Sequence, residues 1–213
     1  MTIVNFPKLL IQNQIILGRR ELWNSLDVAN KHLEDADCKV VVTNYMNGNP
    51  AYLSVKKYGW IKTMEATSSL PIATRGYCEI AGRKYIDGGL SDPLPVKRVY
   101  DWGYRNIVLL RTNTNDVKPD WNFESLYAPL FYRNNPKLQN LIIRNDKIYA
   151  REQKYISKPP KDLKLIHIAP EEELMCGVIT SNKENIRLDY RNGLEMGLDI
   201  MPQLRTLSLN LME

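Results

Sequence analysis

Hydrophobic and polar positions change period several times along these 213 residues, and each change predicts an element. From Cys38 the run CKVVVTN is dominated by β-branched valine, residues 47–50 (NGNP) supply turn chemistry, and AYLSV follows, which predicts a hairpin. Beyond Gly59, WIKTMEATSSL spaces its apolar residues as a short helix does, with Pro71 as its stop. A second strand, turn, strand pattern, YCEIAGRKYID, centres on Ala81 and Gly82 and ends on Asp87.

Pro95 stands where a first helical residue would, and VKRVYDW closed by Gly103 predicts a helix of about two turns. NIVLLRT is a near-continuous apolar run, the pattern of a strand buried on both faces. From Pro136 to Ser157, Leu138, Leu141, Ile142, Ile148, Tyr149, Tyr155 and Ile156 recur at three-to-four spacing and predict one long amphipathic helix. LKLIHIA predicts a further buried strand, while EEELMCG and NKENIRLDYRNGLEMGLDIM predict helices, the last loosened by Gly193 and Gly197. The alternation gives an α/β class with a mixed sheet, hairpins early and helix-linked strands later. Residues 1–213 read as one domain, with a motif-bearing core at 38–113 and a C-terminal helical region at 114–213 that adds one strand.

Composition changes this picture little. A 44% hydrophobic and 25% charged chain with mean hydropathy of −0.38 is that of an ordinary globular protein with a full core. The net charge of +5 is dispersed, with no polybasic arm and no interleaved stacking motif, so no nucleic-acid partner is expected. Cys38, Cys78 and Cys176 are odd in number and far apart, which predicts neither a disulfide framework nor a metal site, and a reducing, cytoplasmic setting. Gln12, Asn13 and Gln14 interrupt the apolar N-terminus, so no signal peptide is expected, and no run is long enough to cross a bilayer.

One acid stands apart from this background. RKYIDGGLSDPLPV sets Asp87 at a strand end before Gly88 and Gly89. Aspartate favours turns and paired glycines admit positive φ, so the motif can be purely structural. Its surroundings suggest more. EATSSLPIATRGYCEIAGRKYIDGGLSDPLPV, residues 65–96, resembles the second catalytic block of the patatin-like phospholipase family. The matching elements are Ser68, Ser69, Leu70 and Pro71, then Tyr85, Asp87, Gly88 and Gly89, then Asp92, Pro93, Pro95 and Val96. The resemblance covers residues 38–113, including the preceding hairpin and the strand that follows.

The resemblance implies a patatin-like layered fold, with a central mixed, mostly parallel sheet flanked by helices, and a serine acyl-ester hydrolase of the phospholipase A or lysophospholipase type, working with a Ser and Asp dyad. Asp87 occupies the position of the acid, which would be held against the serine hydroxyl and desolvated so that it accepts the proton. Gly88 and Gly89 complete the motif, and Ser68, Ser69, Pro71 and Tyr85 support it from beside the site. No cofactor or metal is implied, and no histidine is required: His167 lies in an apolar strand pattern and reads as a packing residue. A lipid or lipid-like ester would be the substrate, with peripheral membrane contact, although Trp60, Trp102 and Trp121 read as packing residues.

The sequence departs from the family at its nucleophile. The Gly-rich oxyanion loop and the Gly-x-Ser-x-Gly elbow are not among these residues: Ser25 lies in WNSLD, Ser54 in YLSVK, and Ser68 and Ser69 in EATSSLP. An ordinary helix end would neither aim Ser68 or Ser69 at a carbonyl nor supply oxyanion donors, each worth about 3 kcal/mol. The expectation is therefore a fold incomplete at its N-terminal side and inactive alone. Its open strand edge predicts self-association or an upstream complementing chain, as in one half of a split hydrolase. The alternative is a non-catalytic binding or regulatory remnant of the fold.

Overall fold

The computed structural model describes residues 2–4, 38–70, 76–114, 128–130, 132–176 and 182–202. They fall into two compact units, Met1–Pro95 with Lys118–Ser157 and Val96–Val117 with Lys158–Glu213. The class is mixed α/β.

In the first unit, the valine-rich strand β2 (Cys38–Asn44) organises a five-stranded sheet. β3 (Pro50–Ser54) pairs antiparallel along one edge of β2, from Lys39 to Thr43. The opposite edge is shared: β1 (Thr2–Val4) runs parallel to Cys38–Val40, and β5 (Arg83–Asp87) runs antiparallel to Val42–Asn44. β4 (Cys78–Ile80) closes the order against β5. The sheet is mixed, but among its described strands only β1–β2 is parallel, which corrects the mostly parallel sheet that the resemblance implied. The connections give the reason, because residues 45–49 and Ala81–Gly82 are too short for a crossover and return the chain antiparallel. At the second turn Ala81 has φ 51° and Gly82 φ 71°, the left-handed pair of a type I′ hairpin.

Alternation along β2 sends Cys38, Val40 and Val42 into one core with Leu53, Ile80 and Tyr85. This face is covered by helices α1 (Val55–Tyr58) and α2 (Trp60–Thr67), which contribute Val55, Trp60, Met64 and Ala66. Ile86 points the other way, into a second core with Leu90, Tyr132, Leu138 and Ile142, so helices cover both faces of β5. Burying these side chains contributes on the order of 1.5–3 kcal/mol apiece before entropy is charged.

The long helix predicted over 136–157 is two helices, α4 (Pro136–Ile143) and α5 (Asn145–Ser157), parted at Arg144 (φ −101°, ψ 7°). Asn135 caps α4 by accepting the Leu138 N–H, with Pro136 next in the first turn. The break coincides with Asn145, whose side chain turns inward to tertiary partners described below.

In the second unit, β6 (Asn106–Leu110) and β7 (Lys164–Ile168) pair in parallel, and α3 (Val96–Asp101) packs against β6. NIVLLRT is not buried on both faces: Ile107 and Leu109 are buried, but Val108 is 41% and Leu110 72% exposed, because the pair packs through one face only. EEELMCG forms no helix over its described residues, 171–176; the N–H groups of Met175 and Cys176 instead donate to the Asp189 carboxylate. Asp189 belongs to α6 (Lys183–Asp199), which runs unbroken through Gly193 and Gly197.

Gly88 follows β5 where a Cβ would collide with the carbonyl of Val41 in β2. Gly88→Ala is expected to lose the cooperative thermal transition, whereas Gly193→Ala, which meets nothing, should gain about 0.5–1 kcal/mol in denaturant unfolding. An unchanged midpoint for Gly88→Ala would refute the close approach.

Candidate functional site

The site is assembled where β5 ends. Asp87 pairs with Val42, so its side chain rises on the face covered by α2, the side of the sheet that also takes Tyr85. The residue is 2% exposed. Its N–H donates to the Ser69 carbonyl (2.9 Å), its own carbonyl accepts the Thr43 hydroxyl (2.6 Å), and Oδ1 accepts the Gly89 N–H (2.7 Å). That last bond makes Asp87 the N-cap of a 3-10 turn over Gly88–Leu90. The Thr43 hydroxyl has one proton and gives it to Asp87, so Ser91 Oγ donates in the 2.8 Å contact between Thr43 and Ser91. The Gly89 N–H thus holds the carboxyl group itself, while Ser69 and Thr43 hold the main chain of Asp87 on either side of it.

The sequence-predicted residues fall around this point as follows. Gly88 touches β2, and its carbonyl accepts from Ser91 and Asp92, which closes the turn. Gly89 is the donor to Asp87. Ser68 and Ser69 are buried just beyond α2. The Ser69 hydroxyl is turned back to the Glu65 carbonyl (2.7 Å) while its own carbonyl holds Asp87, so this serine is engaged twice in local structure. Tyr85 is a core residue, 4% exposed. Pro71 lies outside the described residues, as do Ser25 and Trp121. Trp60 is buried and Trp102 partly exposed. His167 is half-buried on β7 of the second unit, where burial and then Arg111 hold its pKa below the usual histidine value.

Sequence reasoning missed the residues that hold the loop from the C-terminal side. Asn145, 1% exposed, donates from Nδ2 to the carbonyls of Gly89 (3.0 Å) and Leu90 (2.9 Å). Two turns on, Glu152 Oε2 accepts the Leu94 N–H (2.8 Å). Between these points Asp92 accepts from Tyr52 of β3 and lies against Glu152. Burial, then the Asp92 carboxylate, push the Glu152 carboxyl up to about 8, against the lowering pull of the Leu94 N–H and Arg151. Glu152 is therefore protonated at neutral pH and can bond to Asp92 instead of repelling it. The signal was present in the sequence: Asn145, Tyr149, Glu152 and Ile156 share one buried stripe of α5, and two polar members of an apolar stripe demand partners.

Chemically, the loop offers a buried acid fixed by backbone bonds. The two clefts beside α4, about 670 and 490 Å³, are not lined by Asp87. Among the described residues no three His, Cys, Asp or Glu converge on a common point, and no helix is long and apolar enough to cross a membrane.

Residues 135–208 match the model of a family described as a domain of unknown function, DUF6363. Asn145 and Glu152 lie inside that span and Asp87 outside it. The chain is also similar to the uncharacterized protein YjjU of Escherichia coli (strain K12), 30% identical over 146 residues. The match takes in 68% of this chain but 41% of that protein, so the chain spans less than half the length of this relative.

The Glu152 shift has a signed consequence. A carboxyl raised in the folded state stabilises most below the ordinary glutamate value of about 4.5, and that contribution is lost as pH rises towards about 8. Glu152→Gln keeps an acceptor for Leu94 and a donor for Asp92 without the titration. Its stability relative to the native chain is expected to climb between pH 4.5 and 8, by on the order of 5 kcal/mol, and to level off above. Urea unfolding across that range checks this; a difference independent of pH would contradict it.

Proposed function

We propose that this chain is the acid-bearing part of a patatin-like acyl-ester hydrolase, acting on lipid or lipid-like esters, in which Asp87 is the proton acceptor of a Ser and Asp dyad. The observation that carries the reading is Asp87 itself: a buried carboxyl at a strand end whose Oδ1 accepts the Gly89 N–H, inside a block from 65 to 96 whose motif order resembles that family. Helices on both faces of the sheet in the first unit are consistent with a patatin-like layering. The nucleophile would come from a Gly-x-Ser-x-Gly segment that is not among these 213 residues, carried by a longer polypeptide or a companion chain.

With Oδ1 held by Gly89, Oδ2 is the oxygen that would take the serine proton. The serine oxygen adds to the ester carbonyl, the alcohol leaves with the proton returned by Asp87, and water then releases the acid from the acyl-serine with the same base. A fixed carboxyl costs no reorganisation at the moment of transfer. Ser69 is no substitute nucleophile under this reading, since its hydroxyl is committed to Glu65.

A second reading has its own observation. The Oδ1 bond to Gly89 is an ordinary N-cap, so Asp87 could serve the turn alone, in a binding or regulatory module. Asp87→Asn separates the two, because asparagine caps as well as aspartate but cannot accept the proton. The chain would be combined with a segment bearing the Gly-rich loop and nucleophile elbow, and p-nitrophenyl butyrate hydrolysis followed. Asp87→Asn is expected to leave the melting temperature nearly unchanged and to lower turnover by about 100-fold or more. Undiminished turnover at intact stability would leave the structural reading standing.

A further inference from the structure

A cleft of about 490 Å³ in the first unit is lined by four cations, Lys137, Arg144, Lys147 and Arg151, together with Asn47 and Asn49, and by no carboxylate. It forms because the β2–β3 turn is drawn onto α4. Gly48 lies against Leu141, where a Cβ would stand 3.4 Å from the leucine Cδ2, and Asn135 of the α4 cap donates to the Tyr45 carbonyl. Lys137, Arg144, Lys147 and Arg151 recur at three, four and seven residues, so the break at Arg144 does not take them off a shared face.

Three of the four charges are uncompensated. Among the described residues Lys137, Arg144 and Lys147 enter no ion pair. Among the described residues Arg151 reaches only Glu152, at 3.8 Å, a carboxyl that burial and Asp92 push up to about 8. Four like charges around one concavity repel one another, and an anion that enters relieves all of them at once. Asparagine amides and arginine guanidinium groups are donors suited to phosphate oxygens.

We propose that this cleft binds a phosphate group, the headgroup of an anionic phospholipid at a membrane surface. Exposed apolar neighbours in sequence favour that source over free phosphate: Met46, 68% exposed, directly precedes the cleft residue Asn47, and Ile143, 49% exposed, directly precedes the cleft residue Arg144. Cations flanked by exposed apolar side chains suit a bilayer interface, where the charges meet headgroups and the apolar groups meet the acyl boundary. The inference is independent of the chemistry at Asp87 and stands whether or not that residue accepts a proton.

The test uses the full chain, sedimented with vesicles of phosphatidylcholine containing about a quarter phosphatidylglycerol, and titrated separately with inorganic phosphate. Lys137→Gln/Arg144→Gln/Lys147→Gln removes three cleft charges at exposed positions. Lys56→Gln/Lys57→Gln/Lys161→Gln removes the same charge elsewhere on the exposed surface. Vesicle binding is expected to weaken roughly 100-fold in the first variant and far less in the second, and to fall with salt. Phosphate binding lost in the first variant, without vesicle binding, supports the phosphate site and assigns it to a free ligand. Equal weakening by the two variants, or binding of neither probe by the native chain, overturns the proposal.

Discussion

The backbone of Gly88 passes so close to the Val41 carbonyl that no side chain fits between them, and the candidate site depends on this contact. It brings the end of β5 onto β2, where Thr43 takes the Asp87 carbonyl and Ser69 takes its N–H. The same Val41 carbonyl accepts the Thr67 hydroxyl at 2.6 Å, so α2 is fastened to the strand at the point where the loop leaves it. The carboxyl of Asp87 is consequently aimed by peptide groups and short hydroxyl side chains, which have few alternative rotamers to lose.

The far side of the loop is held by α5. Asn145 and Glu152 meet main-chain groups between Gly89 and Leu94, and both lie in the span that matches DUF6363. A structural job therefore falls to the first part of that span: it completes the hydrogen bonding of a turn whose own sequence supplies too few partners. Using a protonated glutamate for this makes the support conditional on pH, since ionisation would set two buried carboxylates against each other.

Much of the first unit was legible because its signals are local. β2 carries its valines in one uninterrupted run, the Ala81–Gly82 turn announces its hairpin, and Asp87 stands out between strand and glycines. What escaped depends on partners far along the chain. Glu152 lies 58 residues from Leu94, and the helix break at Arg144 coincides with the inward turn of Asn145, 56 residues from Gly89. Hydrophobic period carries no information about such bonds. The apolar run of β6 misled for a related reason: composition reports how much surface could be buried, while Val108 and Leu110 remain exposed.

The proposed chemistry requires that the buried acid at the end of β5 activate a serine brought from elsewhere. The direct measurement is the rate at which a fluorophosphonate labels the serine of a complementing segment with and without this chain. Labelling that is fast only in the presence of the chain, and that returns to the rate of the isolated segment when Asp87 is replaced by asparagine, is the predicted result. Labelling at one rate whichever residue stands at position 87 would contradict it.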